Sequence, residues 1–175
     1  SCPPSFELLE NGQCKLINMY QLYDSLQNRG VGGTQTSLPE FRNGFTPQQM
    51  DLGRFLFFDP ILSGNQTQSC ASCHDPEQGF ADGKALSIGA TGHETKRGAP
   101  SLWNVGFLKR LFWDGRATSL EEQAQGPLYA KEEMANNPAQ LLADMNGSSD
   151  YIEMFKQAFP DSGEEISLDE IYIAL

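Results

Sequence analysis

The sequence predicts an all-α fold in which short helices are joined by long loops. Helix-start signals recur along the chain between Thr46 and Ser167, each with a capping side chain ahead of an apolar segment. No two neighbouring segments show the alternation of apolar and polar residues that would predict a strand pair. Residues 81–100 lack helical periodicity and contain several glycines, which predicts a long loop. The 175 residues are enough for one domain.

Residues 1–45 are expected to form an N-terminal arm that includes one helix. The first 14 residues show no periodic pattern, whereas apolar residues recur at helical spacing from Leu16 to Leu26 and stop before Gly30. We therefore place the main domain at residues 46–175.

The first helix of the main domain has a well-defined start. Thr46 offers a capping hydroxyl, Pro47 suits the first helical position, and Gln49 completes a capping box. The helix should end before Pro60, because the residue ahead of a proline avoids helical backbone angles. Ser63-Gly64-Asn65 then predicts a turn.

Further helix starts follow toward the C-terminus. Ser119 to Glu122 form a capping box, and Gly126-Pro127 should close that helix. The last predicted helix is still running at Leu175, so we expect the chain to be cut within it. The other starts are Asn137-Pro138, Ser149-Asp150, whose helix should turn Tyr151, Ile152, Phe155 and Phe159 inward, and Ser167 to Glu170.

A C-x-x-C-H motif at residues 70–74 carries the main chemical signal. The thiols of Cys70 and Cys73 can each add to a vinyl group of one porphyrin, and the imidazole of His74 can then ligate the iron. Ser69 should cap the short helix that holds the thiols, and Pro76 and Gly79 should end it. The motif predicts covalently bound haem c in a cytochrome c-like haem domain.

Two other kinds of site fit the motif less well. A structural zinc site needs two further ligands, and the only other histidine in the sequence is His93. A thioredoxin-type dithiol needs a preceding strand and a βαβ context, which the flanking sequence does not predict.

Charge and cysteine content limit the kinds of binding partner and the cellular compartment that we expect for this chain. The net charge of −11 and the pI near 4.5 argue against nucleic acid and favour a cationic partner. No apolar run approaches the roughly 20 residues of a membrane-spanning helix. Cys2 and Cys14 can close a disulfide loop, which together with covalent haem favours the periplasm, and a lipid anchor on Cys2 is the alternative. Because no signal peptide is evident, we expect the mature form.

Several short motifs follow one another in a fixed order over residues 47–175. They are Leu56 to Pro60, Leu62-Ser63-Gly64, CASCHDP from Cys70, Gly79-Phe80 with Asp82-Gly83, Arg97 with Ala99-Pro100, Phe112 to Arg116, Leu120 to Ala124, and Gly126-Pro127. In this order the motifs resemble the first domain of bacterial di-haem cytochrome c peroxidases and their MauG-type relatives. The resemblance does not extend to the arm.

The resemblance implies a protein with two haem c groups, one of them in this chain. In the family, the N-terminal domain holds the haem that reacts with hydrogen peroxide, and a second domain with its own C-x-x-C-H supplies electrons. The implied activity is peroxide reduction through a ferryl haem, with a cytochrome or copper protein as electron donor. A MauG-type variant would instead oxidise Trp or Tyr on a substrate protein. A homodimer is compatible with the sequence.

The resemblance also implies a distal acid and base. That residue is Glu133, supported by Gln123 and by Pro127, which shapes the pocket. A carboxyl group in an apolar haem pocket has a raised pKa, which suits proton transfer to and from peroxide. The competing interpretation is that Glu133 belongs to a solvated charged run with Lys131 and Glu132.

Two other residues compete for the sixth position of the iron. Met134 lies 60 residues after His74, a separation typical of the axial Met in mono-haem electron-transfer cytochromes, although Met is more often a core residue. His93 lies where some family members carry a removable sixth ligand, in a glycine-containing loop that could swing.

The remaining site predictions concern electron transfer and haem binding. By resemblance Trp113 lies between the two haems, although packing is the default role of a Trp. Lys84, Arg97 and Arg116 are candidates for pairing with the haem propionates. Family peroxidases commonly have Asn, whose side chain helps bind an interdomain calcium ion, where this chain has Gly98. Since Gly98 offers only its carbonyl, calcium is not expected here.

Overall fold

The computed structural model describes residues 6–10, 14–16, 42 and 44–175, and its main domain is helical as predicted. Single turns of 3-10 helix connect the α-helices at Pro60–Leu62, Cys70–Ser72, Pro76–Gln78 and Val105–Phe107. The α-helices within these described residues are α1 (Pro47–Phe58), α2 (Leu120–Tyr129), α3 (Pro138–Asn146), α4 (Ser149–Ala158) and α5 (Leu168–Ala174).

A short strand pair precedes the helical domain. Strand β1 (Phe6–Leu8) pairs antiparallel with β2 (Cys14–Leu16), with Phe6 opposite Leu16. The expectation of no strand pair is therefore wrong here, because segments of three residues are too short to show a recognisable alternation. Leu16, predicted to begin a helix, instead ends β2. The rest of that predicted helix, Cys2 and the side chain of Cys14 lie outside the described residues.

Helix α1 begins and ends where the sequence predicts. Thr46 and Gln49 cap it reciprocally: the Gln49 amide donates to Thr46 Oγ1 at 3.1 Å, and the Thr46 amide donates to Gln49 Oε1 at 2.8 Å. Asp59 follows the helix, and its carboxylate accepts the amide of Ile61 at 2.9 Å, so that the next turn starts at Pro60.

Helix α2 is longer than predicted. It runs through Gly126-Pro127 to Tyr129, so the expected end at these two residues is wrong. Pro127 removes one amide from the helix, yet the Ala130 amide still donates to the Gly126 carbonyl at 3.0 Å. Leu128, at 2 % exposure, adds burial that offsets the lost bond.

The core lies between α1 and the three C-terminal helices. Its fully buried side chains come from α1, the following turn, α2, α3 and α5, and each stabilises the fold by about 1.5–3 kcal/mol relative to exposure. Asn137, Ser148 and Ser167 cap α3, α4 and α5, so the cap of α4 is one residue earlier than predicted. The fully buried hydrophobic core residues are Leu52, Leu56, Leu62, Leu128, Leu141, Met145 and Ile171.

Helix α1 also positions the C-x-x-C-H segment. It packs against the turn Cys70–Ser72, while residues 81–100 form the predicted irregular loop, apart from isolated β-bridges. Ser87 and Thr95 are buried in that loop and bond across it, with the Thr95 amide 2.8 Å from the Ser87 carbonyl. Among the described residues, no helix is both long and apolar enough to cross a membrane.

Candidate haem site

The two thiols lie on a single tight turn. The Cys70 carbonyl accepts the amides of Cys73 at 3.2 Å and His74 at 2.9 Å, and the Ser69 amide donates to Ser72 Oγ at 3.1 Å. The predicted short helix is thus a 3-10 turn, which a second such turn at Pro76–Gln78 follows. Cys70 and Cys73 are both free thiols and both partly buried.

Burial keeps both thiols protonated. It raises the pKa of Cys70 to about 11, although part of the residue remains accessible. Burial also raises the pKa of Cys73, and the negative charges of Asp82 and Glu133 act in the same direction. Since Glu133 acts on Cys73 across 60 residues of sequence, the fold places the predicted distal carboxyl near the attachment thiols.

His74 is oriented for ligation by two backbone carbonyls. Its Nδ1 lies 3.1 Å from the carbonyl oxygen of Phe80 and 3.1 Å from that of Pro100. Carbonyl oxygens only accept hydrogen bonds, so Nδ1 carries the proton and Nε2 keeps the lone pair that binds a metal. A ligating histidine is typically held in this way through its other nitrogen. Free thiols on one turn and this tautomer fit covalent haem c.

The described residues give no support to a zinc site. Within them, no group of three or more His, Cys, Asp or Glu side chains is arranged to hold a metal ion. The C-x-x-C-H segment there offers two thiols and one imidazole, which suit a porphyrin.

Glu133 lies in a turn that folds back onto the end of α2. Its amide donates to the Ala130 carbonyl at 3.0 Å, and the next amide, of Met134, donates to the Pro127 carbonyl at 3.1 Å. The buried Asn136 donates from Nδ2 to the Leu62 carbonyl at 2.9 Å. The turn is thereby fixed both to α2 and to the segment that follows α1.

The electrostatic surroundings of Glu133 favour its protonated form. Burial is the main cause of its raised pKa and the charge of Glu132 adds to it, whereas His74 and Arg116 lower the pKa. By its accessible surface the residue is nevertheless exposed, as are Lys131 and Glu132. Glu133 is thus partly desolvated and lies within electrostatic reach of His74, as a distal acid and base requires.

The two adjacent candidates, Glu133 and Met134, differ sharply in burial. Met134 is 7 % exposed and belongs to the hydrophobic core with Leu52 and Leu128. This packing is what a core methionine shows. Ligation of the iron by Met134 remains a prediction.

Gln123 and Pro127 lie on the same face of α2, because they are four residues apart. Both are half-buried. Gly126 lies between them against Phe112, since a Cβ at residue 126 would be 2.8 Å from that ring. The guanidinium of Arg116 lies 3.4 Å from the centre of the same ring. The fold therefore groups the end of α2 with the Phe112–Arg116 turn and the Glu133 turn.

His93 is exposed at the tip of its loop. Its Nδ1 lies 3.1 Å from Thr91 Oγ1. The loop itself packs against the Glu133 turn, because the Ala90 amide donates to the Glu133 carbonyl at 2.7 Å. The backbone therefore brings the two loops together, and the role of His93 as a ligand remains a prediction.

Trp113 and Arg97 share an open pocket of about 440 Å³, which Leu86, Lys96 and Gly98 also line. Trp113 is 80 % exposed, which is unlike a core residue. Lys84 is exposed, and its carbonyl oxygen lies where a Cβ of residue 98 would be. A glycine is therefore required at position 98 by this packing.

Arg116 is already paired. Its Nη1 donates to both carboxylate oxygens of Asp114, at 2.9 and 3.0 Å, and this contact lowers the pKa of Asp114. As a propionate ligand it would have to share its guanidinium with Asp114.

Sequence reasoning missed the groups that hold the predicted side chains in place. The carbonyls of Phe80 and Pro100 carry no signal in the sequence, because every residue has a carbonyl. Asn136 has only a weak signal in the sequence: it is a second Asn before a helix that Asn137 already caps. Ser87 is buried and accepts the Ala99 amide at 3.0 Å, which anchors the segment before Pro100.

Comparisons with known proteins show what this chain is similar to. A sequence model of the family described as di-haem cytochrome c peroxidase matches residues 47–175. Cytochrome c551 peroxidase of Pseudomonas aeruginosa is 38% identical over 128 residues, which are 73% of this chain and 37% of that protein. The methylamine utilization protein MauG of Methylophilus methylotrophus is 39% identical over 133 residues, 76% of this chain and 39% of that protein.

Solved structures show the same similarity. A MauG-like protein associated with microbial copper homeostasis superposes with a TM-score of 0.72 and 35% identity, covering 83% of this chain and 44% of that one. The diheme peroxidase BthA from Burkholderia thailandensis gives a TM-score of 0.65 and 31% identity, over 75% of this chain and 37% of that one. The chain thus spans less than half the length of these relatives.

Proposed function

Because the chain belongs to the di-haem cytochrome c peroxidase family, we propose that it is the peroxide-reactive haem c domain of a periplasmic oxidoreductase. Cys70 and Cys73 would hold the haem and His74 would ligate its iron. The observation that carries the proposal is the partly desolvated Glu133 within electrostatic reach of His74 and Cys73. A homodimer has no support in the structure or the relatives and is not part of the proposal.

When bound, the haem would supply an iron at which hydrogen peroxide is reduced. Glu133 takes a proton from one peroxide oxygen and returns it to the other, so that water leaves. Gln123 orients the peroxide, and Pro127, on the same face of α2, shapes the pocket. Each peroxide needs two electrons and two protons to give two molecules of water.

Electrons reach this domain from outside the chain. Trp113 is exposed beside Arg97, a position suited to contact with a second haem domain. The ultimate donor is a small cytochrome or copper protein, as in the activity that the resemblance implies. Arg97 and Lys84 carry exposed positive charges on the same loop, and they would pair with the haem propionates.

The acid and base role is tested by replacing Glu133 with Gln in the haem-loaded chain. The rate constant for the reaction with hydrogen peroxide, followed by stopped-flow absorbance, should fall about 10²-fold or more. Glu132→Gln is the matched control, since it changes a neighbouring exposed carboxylate and should leave the rate at pH 7 nearly unchanged. Equal rates for wild type and Glu133→Gln would remove Glu133 from the reaction.

A second candidate function is MauG-type oxidation of Trp or Tyr on a substrate protein. Gly98 favours it, because the Lys84 carbonyl leaves no room for the Asn side chain that assists calcium in the peroxidases. Incubating the loaded chain with peroxide and a Trp-containing candidate substrate, followed by mass spectrometry, separates the two activities. Oxidised substrate side chains indicate the MauG type.

A mono-haem electron carrier is the remaining alternative, with iron ligation by His74 and Met134. The visible spectrum of the ferric protein tests it. A Met-to-iron charge-transfer band that disappears in Met134→Leu would establish the carrier and contradict the peroxidase.

A further inference from the structure

An aromatic contact leads from the iron ligand to the protein surface. The Phe80 carbonyl accepts the His74 Nδ1 proton at 3.1 Å. The Phe80 ring meets the indole of Trp103 edge to face, with the ring centroids 5.4 Å apart and an angle of 88°. Trp103 is 67 % exposed. One hydrogen bond, one side chain and one ring contact therefore separate the imidazole from an indole that a partner can touch.

This arrangement is built into the backbone. Phe80 has a φ of +59°, which L residues rarely adopt, and its amide is held by the Asp75 carbonyl at 2.7 Å. Ser101 donates to the Gly79 carbonyl at 2.6 Å and accepts the Trp103 amide at 3.2 Å. The segment that carries Trp103 is thereby tied to the turn that carries Phe80.

The other tryptophan is placed differently. Trp113 lines the pocket with Arg97 and Leu86, on the route that the family resemblance predicts. Trp103 instead contacts the residue that holds the proximal imidazole. Phe107 and Leu108, which follow Trp103 in the chain, are 51 % and 55 % exposed, so the segment that carries the indole presents further apolar side chains to solvent. Such surface allows a partner to approach closely without removing charged groups from water.

We infer that Trp103 is a redox site, through which a one-electron donor reduces the haem after hydrogen peroxide has oxidised it. The inference rests on the proposed peroxide reaction, which supplies the oxidant. In each turn the indole gives up one electron along the Phe80 contact, and its N–H proton passes to water. The donor then returns one electron, and the proton returns from water. Each such turn delivers one of the two electrons that one peroxide needs.

The experiment uses the haem-loaded chain, with hydrogen peroxide and no donor, followed by peptide mass spectrometry. An indole that loses electrons and is not reduced again accumulates oxygen adducts. We expect such adducts on Trp103 in the loaded chain and none in the haem-free chain given the same peroxide. Phe80→Leu keeps the carbonyl on His74 but removes the ring, and should lower Trp103 oxidation several-fold without lowering that of Trp113.

A second variant keeps the test valid if Phe80→Leu does not fold. Trp103→Phe changes an exposed side chain, and should slow several-fold the return of the peroxide-oxidised haem to the ferric state by ferrocyanide, followed by stopped-flow absorbance. Phe58→Leu, which changes an exposed aromatic side chain at the end of α1, is its matched control, and equal slowing by the two variants overturns a specific role for Trp103.

The outcomes separate this inference from the proposed function. Peroxide consumption with Trp103 unmodified overturns the redox site alone. A loaded chain that consumes no peroxide overturns the proposed function, and the redox site with it, because the indole then has no oxidant. Equal Trp103 oxidation with and without haem indicates direct attack by peroxide in solution and also overturns the redox site.

Discussion

The backbone amide of Ala90 donates to the carbonyl oxygen of Glu133 at 2.7 Å, which joins the His93 loop to the turn that carries the proposed acid and base. The contact is tightened by Gly89, whose missing side chain leaves room for the Glu132 carbonyl. A movement that brings His93 to the iron would therefore strain or break contacts next to Glu133. Because the two loops are joined, the roles of His93 and Glu133 can be tested together.

Removing the imidazole at position 93 tests whether it ligates the iron. If His93 is the sixth ligand, His93→Gly should convert the ferric haem to a five-coordinate, high-spin form visible in absorbance and EPR spectra. Thr91→Val is the matched control, because it removes the hydroxyl 3.1 Å from Nδ1 and keeps the imidazole. Spectra that do not change in His93→Gly would assign His93 to the solvated loop.

The pH dependence of the peroxide reaction should respond to two neighbouring charges with opposite sign. Glu133 must be ionised to accept a proton, so the rate falls as the pH falls through its raised pKa. Glu132 raises that pKa and Arg116 lowers it. Glu132→Gln should therefore move the acidic limb of the rate profile to lower pH, and Arg116→Gln should move it to higher pH.

A distant charge change is the control for these two shifts. Glu164→Gln removes an exposed carboxylate in the segment before α5. It should leave the pH of the acidic limb of the rate profile unchanged. Shifts of the same sign in Glu132→Gln and Arg116→Gln would mean that the limb reports a group other than Glu133.

The attachment thiols should be slow nucleophiles in the haem-free chain. With a pKa of about 11, Cys70 is a thiolate in roughly one molecule in a thousand at pH 8. Its alkylation by iodoacetamide should accelerate about tenfold per pH unit between pH 8 and pH 10, as measured by peptide mass spectrometry. Cys73→Ser isolates this thiol, and a rate that levels off near pH 9 would contradict a raised pKa.

The packing around position 98 leaves no room for a side chain. This requirement for glycine bears on whether the chain can bind calcium. Gly98→Asn introduces the residue common in family peroxidases, but its Cβ would meet the Lys84 carbonyl. We expect a loss of about 1–3 kcal/mol in the free energy of unfolding, and no stabilisation by added calcium. Gly163→Ala, at a position with open space, is the control. A calcium-dependent rise in Tm of Gly98→Asn would contradict this interpretation.

The sequence predicted local features well where one side chain decides the backbone. Thr46, Ser119 and Ser167 cap helices as predicted, because the capping hydroxyl and the amide it binds lie within three residues. It failed at Gly126-Pro127, where burial of Leu128 outweighs the local tendency of proline to end a helix. It also missed the strand pair near the N-terminus, since three residues per strand give too little pattern.

The site was only partly predictable for a similar reason. The C-x-x-C-H motif predicts the haem attachment thiols and the iron ligand from covalent chemistry, which is local. The surroundings of Glu133 depend on contacts with residues that lie far away in the sequence, such as Leu62 and Ala90, and no local pattern encodes them. The order of the family motifs predicted roles for Glu133 and Gln123, but it did not predict one for Trp103.

A last prediction concerns the stability of the scaffold behind the site. The Tyr151 hydroxyl donates to Asp59 Oδ2 at 2.6 Å, which ties α4 to the end of α1. Tyr151→Phe should lower the free energy of unfolding by about 1.5–3 kcal/mol, because it leaves a carboxylate oxygen in a half-buried position without this donor. Urea unfolding followed by circular dichroism measures the difference, and Asp59→Asn, which keeps an acceptor but removes the charge, should cost less than Asp59→Ala.

The pH dependence of that difference has a defined sign. Burial and the hydrogen bond to Asp59 raise the pKa of Tyr151 above its usual value near 10. The folded state therefore holds the phenol proton more tightly than the unfolded state does, so the stabilisation is fully present below pH 10 and decreases as the pH rises above it. The stability gap between wild type and Tyr151→Phe should accordingly narrow above pH 10, whereas a gap that widens there would show that the phenol proton is not the source of the stabilisation.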